Sequence, residues 1–150
     1  MNGSMIDALT LPRLAAGQHV ALLLLRLVTG AFLIHGVWDN IESAERMDEF
    51  ARFLAKHRFP LPALMAPLSV WAQFFCGVAF VLGAMTRWAG LVCAFNFVVA
   101  CLMVHFNQDL RGWWPALVLV VIGLLLATLG PGRHAVDTWL LQRRRETLPN

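Results

Sequence analysis

The chain has 150 residues, 59% hydrophobic and 14% charged, with a formal net charge of +3 and a mean hydropathy of +0.64. A soluble domain is nearer half apolar and about a quarter charged. Here the apolar excess is gathered into four long blocks, as a membrane protein requires and a soluble core does not. The basic excess sits largely in Arg143, Arg144 and Arg145 with no DNA- or RNA-binding motif beside it, which points to a flank near anionic lipid and away from nucleic acid.

In chain order, residues 1–17 read as an amino-terminal arm, 18–140 as one membrane domain and 141–150 as a basic tail. The first span is expected at about 19–38. It reads as a retained helix rather than a signal peptide, because only Arg13 precedes it and no clear small-residue cleavage site follows His35-Gly36-Val37-Trp38. Further spans are expected at about 62–84, 88–106 and 113–129. Trp38, Trp71, Trp88, Trp113 and Trp114 fall at or near the expected span ends, where an amphipathic ring prefers the interface.

Between the first two spans, Ile41, Ala44, Met47, Ala51 and Leu54 recur at helical spacing, with Phe50 and Phe53 widening the apolar face. Glu42, Glu45, Arg46, Asp48, Glu49 and Arg52 lie opposite. This predicts an amphipathic helix on the membrane or capping the bundle, ended by Pro60 and Pro62. Short connections at 85–87 and 107–112 make neighbouring spans antiparallel. The fold class is therefore all-α: a polytopic antiparallel four-helix bundle with an amphipathic helix between spans 1 and 2 and both termini on one side. No convincing internal repeat is visible. The termini side carries Arg13, Arg87, Arg133 and Arg143–Arg145, and the other carries Arg46, Arg52, Lys56, Arg58 and Arg111. Six cations against five, with the concentrated tail, favours cytoplasmic termini.

The informative residues are those lipid excludes. Arg26, Gln73 and Asn96 lie near the centres of three spans and form a candidate mid-membrane polar knot. Thr29 and Gly30, about one turn after Arg26, allow another helix to approach. The knot serves either to fix helix register through amide and carbonyl partners or to hold a polar ligand group such as a quinone carbonyl or an anion. His35 is not a partner of Arg26: nine helical steps turn about 900° and leave the two on opposite faces roughly 13 Å apart. It shares a membrane level with His105, near Asp39, Asn107, Asp109, Trp113 and Trp114. That group suits proton exchange or a ligand head group, or is a set of interfacial histidines satisfied by loop carbonyls. It lacks the HxxxH or HExxH spacing of a dedicated metal site, so no metal is expected.

Cys76, Cys93 and Cys101 lie in apolar blocks without a CxxC pair and read as packing residues. GxSxG, Walker and GxGxxG motifs are absent, as is CxxCH, so covalent haem is not expected.

The ordered set LLRLVTGAFLIHG (24–36), QFFCGVAFVLGAMTR (73–87) and GPGRHAVD (130–137) resembles the DoxX family of small bacterial membrane proteins over about residues 20–140. Gln73 stands where many members have Glu, removing the obvious ion-pair partner for Arg26, and Cys76 stands where they often have Gly. His134 replaces a variable or aromatic position. In the last motif Gly130, Pro131 and Gly132 end the helix, and Arg133 is expected to cap its carbonyls. The resemblance implies a bacterial inner-membrane protein; some relatives are subunits of thiosulfate:quinone oxidoreductase and others are linked to sulfur or oxidative-stress metabolism. The leading expectation is a redox-associated subunit handling a quinone or small sulfur compound through Arg26, Gln73, Asn96, His35 and His105. The alternatives are a non-catalytic accessory protein docking a partner oxidoreductase, and a small-solute transporter, which would need a homo-oligomer to widen its path.

Overall fold

Prolines, glycines and two capping side chains set the helix boundaries. The computed structural model describes residues 11–106 and 108–146. Residues 1–10 of the expected arm, Asn107 and residues 147–150 of the expected tail lie outside the described residues. After a 3₁₀ segment, Pro12–Gly17, α1 runs Gln18–Glu42. Its 25 residues span about 37 Å, more than a bilayer core of roughly 30 Å. Ser43 stops the helix in an extended conformation and also starts the next one, its hydroxyl accepting from Arg46 N at 3.4 Å.

Helix α2, Ala44–Lys56, is the expected amphipathic segment. Leu54 is buried and Met47, Phe50 and Ala51 are half-buried, while Glu45, Asp48, Glu49 and Arg52 face out. Ala44 is exposed, so the apolar face is narrower at its start than the spacing predicts. Pro62 opens α3, Pro62–Leu82, which ends at Gly83 in the left-handed region (φ 68°). Helix α4 is Thr86–Ala100, continued by one wide π turn, Cys101–His105. Helix α5, Leu110–Leu129, starts three residues earlier than expected because Asp109 caps it, accepting from Gly112 N at 3.1 Å. Helix α6, Val136–Glu146, follows the Gly130–Gly132 turn.

Four helices are long and apolar enough to cross a membrane, and no strand occurs among the described residues. The helices associate through two glycine contacts. A Cβ on Gly30 of α1 would lie 2.7 Å from Gly77 O of α3, and one on Gly90 of α4 would lie 2.5 Å from Gly123 O of α5. Where hydrophobicity cannot drive helices together in lipid, such backbone approach supplies the packing. Leu33, Phe80, Cys93, Leu119 and Leu126 fill the space between the two pairs. All three cysteines are buried and free. Trp71 is not a span-end residue: it lies inside α3 and stacks with Phe75 (centroids 5.7 Å apart) beside Phe74 and Trp38.

Replacing Gly77 by Ala should destabilise the protein by on the order of 1–3 kcal/mol. Gly36→Ala meets nothing within 4 Å and should be neutral or slightly stabilising. Thermal unfolding of the two variants in one detergent checks the difference.

Candidate functional site

Helix geometry takes the Arg26 side chain away from the bilayer centre. Side chains lean toward their helix amino terminus, and in antiparallel packing the carboxyl end of α3 lies there. Arg26, 1% exposed, donates from Nε to Phe80 O (2.9 Å) and from Nη2 to Val81 O (3.4 Å). Its Nη1 serves Pro131 O and His134 O (3.0 Å) in the turn after α5. Phe80 is seven residues, about 10 Å, along α3 from Gln73. The expected knot of Arg26 with Gln73 and Asn96 is therefore not formed. Arg26 caps, from another helix, the negative end of α3, so Gln in place of Glu at position 73 costs it no partner.

Gly83 is doubly constrained. It needs a positive φ, and a Cβ there would lie 2.5 Å from Arg26 Nη2. Asp137 closes the same region: its carboxylate accepts from Met85 N (2.7 Å) and Thr86 N (3.0 Å), and its own N–H donates to Gly83 O (3.0 Å). His134 contributes its carbonyl; its side chain is exposed.

Arg87 repeats the device. Its Nη1 donates to Ala127 O (2.8 Å) and Thr128 O (2.6 Å) at the end of α5. These carbonyls lie three and two residues before Gly130, as Phe80 and Val81 lie before Gly83. With the two glycine contacts, α4–α5 thus repeats part of the α1–α3 arrangement, although exposed Arg87 reaches only α5 where buried Arg26 joins two segments. Arg133, expected as the α5 cap, is exposed; Arg87 takes that role.

Gln73 and Asn96 do come together, through a residue the sequence reading passed over. Gln73 Nε2 donates to Ser69 Oγ (3.2 Å), and Ser69 Oγ donates to Asn96 Oδ1 (2.9 Å). Ser69 is one turn before Gln73, so a polar i, i+4 pair on an apolar helix was the available signal. The trio lines a cavity of about 720 Å³ between α3 and α4, roofed by Phe50, Phe53 and Leu54 of α2. Other walls are apolar, among them Phe59, Leu68, Phe95 and Met103.

His105 lines the same cavity, on the π turn. Its Nδ1 is 2.7 Å from Gln108 Oε1, and Gly112 leaves that oxygen its room. His35 is exposed on α1 and is not among the cavity-lining residues, so the two histidines do not share this site. Asp109 is used as the α5 cap, and Asn107 is outside the described residues. Among the described residues, no group of three or more His, Cys, Asp or Glu side chains is arranged to hold a metal ion.

The fold and cleft thus define a polytopic helical membrane protein with a largely apolar pocket between its middle two spans. The DoxX family model matches residues 21–106, more than half of the chain, and the chain belongs to the DoxX family. The matched segment holds Arg26, Gln73, Asn96 and His105, whereas α5 and the 130–137 segment lie beyond it. No match was found among curated proteins or among solved structures.

Arg26→Met leaves carbonyls of α3 and of the 131–134 turn without their donor, so a loss of on the order of 2–4 kcal/mol is expected. Arg26→Lys should recover only part of it, since one ammonium cannot fork across two elements. Folded yield and thermal unfolding in detergent provide the measurement.

Proposed function

We propose that the protein binds a neutral, membrane-borne amphiphile of the quinone class in the cleft between α3 and α4, as a redox-associated membrane subunit. The single observation carrying this reading is a set of uncharged polar groups, Ser69, Gln73 and Asn96, converging on a cavity of ligand size that is otherwise apolar apart from His105 at one end. The trio lies near the middle of both spans, a depth suited to a neutral head group on an apolar tail. A small sulfur oxyanion is less well served. The cavity lining contains no Lys or Arg, and Arg26 is committed to backbone carbonyls elsewhere. Of the expected ligand residues, Gln73, Asn96 and His105 stay in the proposed site; Arg26 belongs to the scaffold and His35 to the exposed surface.

The proposed setting is a bacterial inner membrane with both termini cytoplasmic. The cation balance supports that orientation, as does the end of α6, where Arg143 lies 4.1 Å over the Trp139 ring among further arginines. A second reading, an accessory protein for a partner oxidoreductase, is favoured by the outward acidic and basic side chains of α2, whose apolar face is already used against its own bundle. On that reading the partner meets charge rather than an apolar groove.

Lipids extracted from protein purified in mild detergent should contain quinone, and added decyl-substituted benzoquinone should bind. Gln73→Leu should weaken that binding by about 3–10-fold, the worth of one hydrogen bond, without lowering thermal stability. Absence of both extracted and added quinone would remove the proposal.

A further inference from the structure

The polar trio has a direction. A serine hydroxyl carries one proton, and Ser69 gives it to Asn96 Oδ1, so toward Gln73 Nε2 it is the acceptor. The amide of Asn96 is thereby oriented: its oxygen is engaged and both Nδ2 hydrogens are left without a protein partner among the described residues. Gln73 likewise retains Oε1 and one Nε2 hydrogen. Both residues line the cleft, and none of these atoms is sealed within the protein. Amide donors at mid-span are costly to leave without an acceptor, because lipid offers none. A site built this way is selective for whatever completes it.

Resting on the reading of the cleft as a quinone-class ligand site, we infer that Asn96 is its specificity-determining residue. It donates to a carbonyl oxygen of the ligand head group, while Ser69 and Gln73 hold its amide in the donating orientation. A carbonyl oxygen, with two lone pairs and no proton, can accept from Asn96 Nδ2 and from the remaining Gln73 Nε2 hydrogen. An alcohol completes the site only if its own proton is placed as well, on Gln73 Oε1, so it must meet two partners of opposite polarity at once. A phosphate or carboxylate finds no Lys or Arg in the lining, and His105, the titratable side chain there, is nine residues or roughly 13 Å along α4 from Asn96. The class recognised is therefore a lipid-soluble ketone or quinone, as distinct from a prenyl alcohol, a sterol or a charged lipid. Discrimination by paired polar groups exceeds what apolar fit alone delivers, because the mismatched ligand leaves buried donors unpaired.

The test uses the full chain in detergent micelles and three probes: decyl-substituted benzoquinone, decylbenzene and a prenyl alcohol of similar length. Calorimetric titration of the wild type should show the quinone binding at least about tenfold more tightly than either other probe. Asn96→Leu should erase that preference while leaving decylbenzene binding unchanged. Ser69→Ala, a smaller change that frees the Asn96 amide to turn, should reduce the preference about threefold and serves if the Leu variant does not fold. A preference for quinone that survives both substitutions, or equal binding of all three probes to the wild type, overturns the role of Asn96 and leaves the cleft reading standing. Ala72→Phe, which fills the cleft, should abolish binding of every probe; quinone binding that persists in this variant overturns the cleft reading and the inference with it.

Discussion

The structure depends on how the ends of its spanning helices are satisfied. The last carbonyls of a helix have no intrahelical partner, and near a bilayer they need donors from the protein or from interfacial water. Arg26 meets this need for α3 and at once fastens the turn that follows α5, so one guanidinium joins three segments distant in sequence. Its burial is tolerated because its hydrogen bonds end on carbonyl dipoles whose sum is the negative end of a helix. Asp137, whose carboxylate holds the start of α4, supplies a charge that acts on Arg26.

With the ends held, the glycine contacts fix what remains. Backbones meet at Gly30 and Gly77 on one side and at Gly90 and Gly123 on the other, so each half is a closely packed pair. The seam between the halves is bridged by larger side chains and by the Cys76 thiol donating to Ala89 O at 3.3 Å. Toward the α2 end of that seam the pairs leave room, and the space becomes the cleft. Helix α2 has its apolar side turned onto this space, which explains why the long connection is amphipathic and why Phe50 and Phe53 line the cavity.

Much of the fold was legible in the residues. Four apolar blocks, prolines at 60 and 62 and glycines at 130 and 132 point to four spans, with a surface helix between the first and the second. The site was legible only in part. Gln73 and Asn96 stood out because lipid excludes amides, but Ser69 did not, since a lone hydroxyl on an apolar helix is unremarkable by composition. Arg26 was rightly set apart from His35 and wrongly grouped with the amides. Depth along a span marks the Cα, whereas a long side chain that leans toward its own amino terminus acts elsewhere. The roles of Arg87, Gln108 and Gly112 were not legible at all, because each is a contact with a group that spacing cannot locate.

The sequence by itself determined that this is a four-span helical membrane protein of the DoxX family, since hydropathy, helix-breaking residues and motif order act locally and need no partner to be read. Only the tertiary structure decided which polar side chains meet. Helix rotation, the reach of each side chain and the backbone approach at two glycine pairs assign Arg26 to the scaffold and bring Ser69, Gln73 and Asn96 to the cleft. Those quantities are set by packing between helices far apart in the chain, which no local pattern encodes.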